Sequence, residues 1–159
     1  MIKKIFTGLI IFLLLLQLFK FNNNTSDQHP GLVFDKYPIT PELEQTMRSS
    51  CFDCHSNITK YPWYAKIQPV SFWLNHHVKE GKGKLNFSEF SAYSAKKQAH
   101  KMEEIAEVVE KKEMPPNYYT ALGLHPEANL SDEQRKGIAE WAKQSQNLII
   151  NGSAPSHEE

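Results

Sequence analysis

Hydrophobic and polar positions divide the chain into an apolar N-terminal run, a short polar stretch and a long region with helical periodicity. The apolar run covers residues 5–19, interrupted by Thr7, Gly8 and Gln17, and it follows Lys3 and Lys4. A basic start before an apolar core is typical of an export signal, and this core is shorter than the roughly 20 residues of a full span. No A-x-A cleavage site follows. Residues 1–21 are therefore predicted to be a signal anchor or signal peptide, with the uncleaved anchor favoured.

The polar stretch, residues 22–33, is rich in asparagine, shows no periodicity and is typical of a tether. Residues 34–148 have the size of one compact domain with a single core, and residues 149–159 are expected to be a flexible tail. Eighteen basic residues balance eighteen acidic ones. This balance gives no indication of a nucleic-acid partner.

Helical periodicity is frequent in the domain and strand signals are scarce, which predicts an all-α fold. A first helix is expected over residues 41–50 with Thr40 as its N-cap, and the last begins at a capping box that starts with Ser131. A third starts near Ser94 and ends before the break at Met114-Pro115-Pro116. Another, after Pro69, is expected to stop at Gly81 and Gly83 and to carry an apolar face of Val70, Trp73, Leu74 and His77.

Both cysteines of the chain lie in one motif, Cys51-Phe52-Asp53-Cys54-His55. At this C-x-x-C-H spacing, two thiols on one helical turn add to the vinyl groups of a haem, and the next residue places its imidazole under the iron. The motif predicts one covalently attached haem c, bound by Cys51 and Cys54 and ligated by His55. The export signal agrees with this, because covalent attachment in bacteria takes place outside the cytoplasm.

Other functions of a cysteine pair fit the chain less well. A disulfide-stapled fold needs more cysteines, and a zinc ribbon needs a second C-x-x-C or a spaced histidine pair. A thioredoxin-like dithiol would follow a strand, whereas here a predicted helix leads into the motif. A redox dithiol and a structural cysteine pair remain as the alternatives.

The sixth iron ligand has two candidates. Met114 offers a soft thioether at a helix end, where the two following prolines stiffen the chain. His77 is the alternative, because it shares a helix face with Trp73 and Leu74, although a buried, hydrogen-bonded His77 is also compatible with the pattern. Met102 is expected in the core, and His125 on the surface or in a loop.

Several blocks of residues outside the haem motif support a family resemblance. They are Tyr61-Pro62-Trp63-Tyr64, Pro69-Val70, His76-His77, Leu85-Asn86-Phe87-Ser88-Glu89, Glu113-Met114-Pro115 and Leu130-Ser131. With the haem motif, they resemble the small bacterial haem-binding domain family of membrane-tethered proteins over residues 34–143. The helix order is also similar to that of single-haem c-type cytochromes, which implies a small cytochrome c-like domain around one haem. The Tyr61–Tyr64 aromatics are expected to pack against the haem edge.

Two classes of function follow from these observations. The first is a one-electron carrier with a His/Met-ligated haem that exchanges electrons with redox partner proteins at the membrane or in the periplasm. The second is a haem-based sensor or small-ligand binder with an open or displaceable sixth site. An enzyme with peroxidase-like activity is a weaker third option, because one haem without a clustered acid and base leaves little to drive chemistry. The expected location is the bacterial inner membrane, with the domain facing the periplasm.

Overall fold

The computed structural model describes residues 1–153, apart from the side chain of Leu122. The chain is helical, and no β-strand occurs among these residues. The helices are α1 Ile2–Leu16, α2 Val33–Lys36, α3 Pro41–Ser50, α4 Phe52–His55, α5 Val70–Lys84, α6 Ala95–Glu110, α7 Asn117–Thr120 and α8 Asp132–Ile150. Short 3-10 turns lie at Trp63–Lys66, Phe90–Ala92, Ala121–Gly123 and Pro126–Ala128. The predicted all-α class is confirmed.

Side-chain caps begin the helices where the sequence predicts them. Thr40 caps α3 by accepting from the Leu43 N–H, and Ser94 starts α6 in the same way. At α8 the Ser131 side chain accepts from the Gln134 backbone while the Gln134 side chain accepts from the Ser131 backbone, so the predicted capping box is present.

The core forms where α6 and α8 pack along each other and α3 lies against α8. Met102 and Ile138 are fully buried between the long helices, and for Met102 this confirms the predicted core position. The buried Trp141 indole donates to the Tyr37 carbonyl at 3.2 Å, which satisfies its N–H inside the core. Since α3 leads directly into α4, this core fixes the position of the cysteine motif.

Two predicted helix ends differ in the structure. α5 does not stop at Gly81 or Gly83 but runs through both to Lys84. Glycine only weakens a helix, and the packing of α5 on α4 offsets that cost. α8 continues to Ile150, two residues into the predicted tail. Residues 154–159 of that tail lie outside the described residues.

The N-terminal run forms α1, whose fifteen residues are apolar apart from Lys3, Lys4, Thr7 and Gly8 and are not buried. Within residues 1–153, we find no helix that combines the length and the apolar character needed to cross a membrane.

The segment predicted to be a tether, residues 22–33, contacts the domain. Thr25 forms an antiparallel bridge with Ile58, and Gly31 a parallel one with Glu89. Asn24 donates to the Ser56 carbonyl at 2.9 Å. Polar, non-periodic composition predicts a spacer. It does not reveal that the amide groups form hydrogen bonds with distant loops.

Candidate functional site

One open groove brings together all the side chains proposed for the cofactor site. Cys51, Cys54, His55, His77 and Met114 all line it. Its other walls are mainly apolar and aromatic and include Trp73, Leu74, Val109, Pro115, Pro116, Tyr118 and Tyr119. Both cysteines are free thiols. Side chains that lie far apart in the sequence therefore meet at one site.

The cysteine motif is a single helical turn at the end of α3. The His55 N–H donates to the Cys51 carbonyl at 3.0 Å, which closes the turn and leaves both cysteines lining the same groove. Of the two residues between them, Asp53 also lines the groove, whereas Phe52 faces the core. Phe52 is buried and stacks on Phe34 and Phe87, with ring centroids 5.6 and 5.2 Å apart. The turn is thus anchored in the core.

Asp53 ties the motif to two other parts of the chain. One carboxylate oxygen accepts the Lys60 N–H at 2.7 Å, and the other accepts the Tyr119 hydroxyl at 2.9 Å. Burial and the Asp53 charge raise the pKa of Tyr119, so its hydroxyl stays protonated and donates. The Asp53 carboxylate is therefore committed to structural hydrogen bonds on both oxygens.

His55 is held in the tautomer that iron ligation requires. Its Nδ1 lies 3.1 Å from the Leu85 carbonyl oxygen, which can only accept, so Nδ1 carries the proton and Nε2 is left with its lone pair. Burial lowers the pKa of His55, and the imidazole is neutral at neutral pH. The His55 carbonyl also accepts the Phe87 N–H at 2.8 Å, which fixes the residue at both ends.

Gly81 allows α5 to lie directly on the motif. A Cβ at this position would be 2.8 Å from the Cys54 carbonyl oxygen and 3.1 Å from the Cys54 Cβ. The sequence assigned this glycine to a helix end, whereas the structure uses it for a close approach between helices in mid-helix. The wall of the groove that contains Trp73, His77 and Gly81 is positioned in this way.

The two thiols are not activated as nucleophiles. Burial is the main cause that raises the pKa of Cys51 and of Cys54 to about 11 in each case. Reactive dithiols have a lowered thiol pKa and an electropositive environment. This difference argues against the redox-dithiol alternative. Nor do residues 1–153 contain a cluster of three or more His, Cys, Asp or Glu side chains suited to a metal ion.

Met114 follows α6 and lines the same groove as His55, although the two residues are 59 positions apart in the sequence. Its side chain is 40% exposed. Its backbone is held twice, by donation to the Val108 carbonyl at 3.2 Å and by acceptance from Arg135 Nη1 at 2.7 Å. Arg135 also donates to the Val109 carbonyl at 3.2 Å and so links the end of α6 to α8.

His77 lines the same groove in an aromatic setting. Its Nδ1 lies 2.8 Å from the Trp73 carbonyl, so the Nε2 of its neutral form is unprotonated. The ring contacts Trp73 and Tyr118, at centroid distances of 4.3 and 5.4 Å. The neighbouring His76 instead faces Glu80 at 3.4 Å and is largely exposed. Of this pair, only His77 belongs to the groove.

The expectation for the Tyr61–Tyr64 aromatics is wrong. Trp63, predicted to pack at the haem edge, is 74% exposed, and Tyr61 and Tyr64 do not line the groove either. His125, expected on the surface or in a loop, lies in a loop but is buried: its ring stacks on Tyr119 with centroids 4.0 Å apart, and its Nε2 is hydrogen-bonded to the Tyr64 hydroxyl. The contact with Tyr64 spans 61 residues of sequence, so no local pattern around residue 125 signals it.

These features fit a haem. The groove is mainly apolar, has two thiols on one side and presents the His55 imidazole. A family model described as "Haem-binding domain" matches residues 11–144, which include every groove residue. Searches of curated proteins and of solved structures found no match. The chain therefore belongs to the haem-binding domain family, and its cofactor is a haem.

Proposed function

We propose that this protein is an extracytoplasmic c-type haem protein that carries one electron at a time. In this proposal, Cys51 and Cys54 hold one haem c covalently, and His55 and Met114 are its axial iron ligands. The observation that carries the proposal is the meeting of all four side chains in one groove.

The cysteines are suited to covalent attachment. Each thiol adds across a vinyl double bond: a sulfur–carbon bond forms, the thiol hydrogen goes to the other vinyl carbon, and no oxidant is consumed. Because Cys51 and Cys54 lie on the same turn and line the same groove, both additions are compatible with one porphyrin. Phe52 and Asp53 are anchored on other sides, so the turn keeps its shape.

The axial ligands are arranged for electron transfer. When bound, haem supplies an iron centre that changes its charge by one electron, and a methionine ligand raises the reduction potential relative to a second histidine. The Leu85 carbonyl fixes the orientation of His55, while Arg135 holds the Met114 backbone. Ligands held in this way limit reorganisation of the site when the charge changes.

The groove offers little for catalysis. Asp53 already accepts two hydrogen bonds, and Glu80 lies at the exposed rim opposite His76. A general acid–base pair within hydrogen-bond reach of one reacting atom is not formed by these groups. We therefore propose a carrier and not an enzyme.

One observation favours a second function. The Met114 side chain is 40% exposed and lies on a loop, so a small ligand that displaces the sulfur would meet little steric resistance. His77, in the same groove, is a second candidate for the sixth site. A haem-based sensor or small-ligand binder with a displaceable sixth ligand is therefore the alternative.

The proposed location follows from the N-terminus and from the cofactor chemistry. Lys3 and Lys4 precede the apolar helix α1, a pattern typical of a signal anchor. We propose that α1 attaches the protein to the bacterial inner membrane and that the domain faces the periplasm. Its partners would be redox proteins at the membrane or in the periplasm, and the balanced charge favours no nucleic acid.

Mass spectrometry and optical spectroscopy test the proposal on protein matured in a host that attaches haem. One covalent haem and the weak near-infrared sulfur-to-iron band of His/Met ligation are expected. Met114→Ala should abolish the band and let carbon monoxide bind the reduced iron, while the volume-conserving Met102→Leu should change neither. An unmodified mass would refute covalent attachment. A band that survives Met114→Ala would refute the ligand, and loss of six-coordination in His77→Ala would then identify His77.

A further inference from the structure

The surface beside the end of α1 carries exposed apolar side chains that the haem site does not use. Trp63 is 74% exposed, Ile67 44%, Val70 38% and Phe72 39%. They come from ten consecutive positions, on a 3-10 turn and the first turn of α5. We refer to these four residues as the 63–72 face. Single exposed apolar residues are ordinary, but a cluster of this kind marks an interaction surface.

The end of α1 is fixed directly beside this face. The Gln17 side chain accepts the Gln68 N–H at 3.0 Å and donates to the Gln68 carbonyl at 3.2 Å. The Gln68 side chain donates to the Phe19 carbonyl at 3.0 Å, and the Phe21 ring packs edge-on against Phe72 at 4.7 Å. Gln68 lies between Ile67 and Val70 in the sequence. Whatever apolar environment surrounds α1 must therefore begin next to the 63–72 face.

The composition of α1 indicates what this environment is. None of its residues is buried, and all residues from 9 to 16 are apolar, so this part of the helix requires an apolar environment that the domain does not provide. Lys3 and Lys4 stand at its start and Lys20 shortly after its end, as expected where lysines extend from an apolar helix to lipid headgroups.

The charge of this region favours a lipid surface over a second copy of the chain as the partner of the 63–72 face. The two stretches that form this region, residues 17–26 and 54–79, contain no Asp or Glu, although the whole chain has eighteen of each sign. Their lysines, Lys20, Lys60, Lys66 and Lys79, are all exposed. Two copies joined through this region would bring like charges together. An anionic surface would instead be attracted to it.

We propose that the 63–72 face rests on an anionic lipid surface, the same one that receives α1. This inference depends on the membrane attachment proposed above and adds that the domain lies on the bilayer in one orientation. Trp73, which follows the face directly on α5, lines the haem groove. The groove therefore opens beside the lipid surface, where an electron partner embedded in the membrane would meet it.

Amine labelling of the haem-loaded full chain tests this orientation. The protein is reconstituted in phosphatidylglycerol or phosphatidylcholine vesicles, and acetylation of each lysine is followed by mass spectrometry. Lys60 and Lys66 should react about fivefold more slowly with phosphatidylglycerol, the factor that corresponds to the attraction of one lysine to an anionic surface. Lys96 and Lys136, exposed on α6 and α8, serve as controls and should react equally in both lipids.

A matched pair of variants tests the apolar part. Ile67→Asp should return Lys60 and Lys66 to the rate found with phosphatidylcholine, whereas Leu148→Asp, at a position of similar exposure, should leave them slow. A chain that floats with vesicles but whose Lys60 and Lys66 react equally in both lipids would overturn the inference and leave the attachment intact. A chain that does not float would overturn both. Protection that grows with protein concentration in detergent would identify a second copy as the occupant and also overturn it.

Discussion

Replacing Gly81 by alanine should push α5 away from the haem motif and destabilise the domain. The added Cβ would lie 2.8 Å from the Cys54 carbonyl oxygen, a separation at which carbon and oxygen repel each other strongly. The obstacle is backbone in a motif anchored by Phe52 and Asp53, so it cannot turn aside as a flexible side chain would. Gly83, two residues further on the same helix, provides a matched control, because a Cβ added there would have no atom within 4 Å.

Gly81→Ala and Gly83→Ala share the gain in helix propensity, but only Gly81→Ala adds a steric cost. Alanine in place of glycine stabilises a helix interior by about 0.5–1 kcal/mol. Overpacking of a filled contact costs about 1–3 kcal/mol. Gly83→Ala should therefore raise the free energy of unfolding by about 0.5–1 kcal/mol, and Gly81→Ala should lower it by up to about 2.5 kcal/mol. The difference between the variants isolates the cost of the close approach.

Urea unfolding followed by far-ultraviolet circular dichroism measures this difference, provided that the slope with urea is unchanged. Because Cys54 is the group displaced, Gly81→Ala should also reduce the fraction of the chain that acquires covalent haem, and Gly83→Ala should not. Equal stability and equal haem content in the two variants would refute the close packing of α5 on the motif.

Two further results are expected. Arg135→Gln removes charge-assisted donation to the Met114 carbonyl, so it should lower the free energy of unfolding by about 1–3 kcal/mol and weaken the sulfur-to-iron band. The control Lys136→Gln should change neither quantity. An unchanged band in Arg135→Gln would show that Arg135 does not position the ligand. Before haem attachment, Cys51 and Cys54 should make stability depend on pH. Their pKa values are about 11 in the folded chain and 9.0 in the reference state, so stability present below pH 9.0 should be lost as the pH rises towards 11. Replacing both by alanine should remove this loss, and an unchanged alkaline dependence in urea titrations would contradict the burial of the thiols.

Features that depend on a few neighbouring residues were predictable from the sequence. The haem motif needs only five consecutive positions, and the caps at Thr40, Ser94 and Ser131 act within the first turn of their helices. The core position of Met102 on α6 was also expected from the sequence. In each case the interacting groups are close along the chain, so their spacing already contains the geometry.

Features that depend on which helix packs on which were decided by the tertiary structure. Gly81 was assigned to a helix end because glycine weakens helices, but its contact with Cys54 spans 27 residues of sequence. His125 was expected on the surface or in a loop, and the local pattern did not indicate its burial against Tyr64, which is 61 residues away. The pattern favoured Met114 over His77 as a ligand without indicating that both would line one groove.

The N-terminal region shows the same division. Its apolar and polar composition separated α1 from the segment that follows, but could not indicate that Gln17 would pair with Gln68 or that Asn24 would bond the loop after the haem motif. Hydrophobic periodicity and capping are local properties of the chain, and they determine where helices form. Contacts between distant residues depend on how complete helices pack. The surfaces and polar groups of neighbouring helices must fit each other, and this fit exists only in the folded structure.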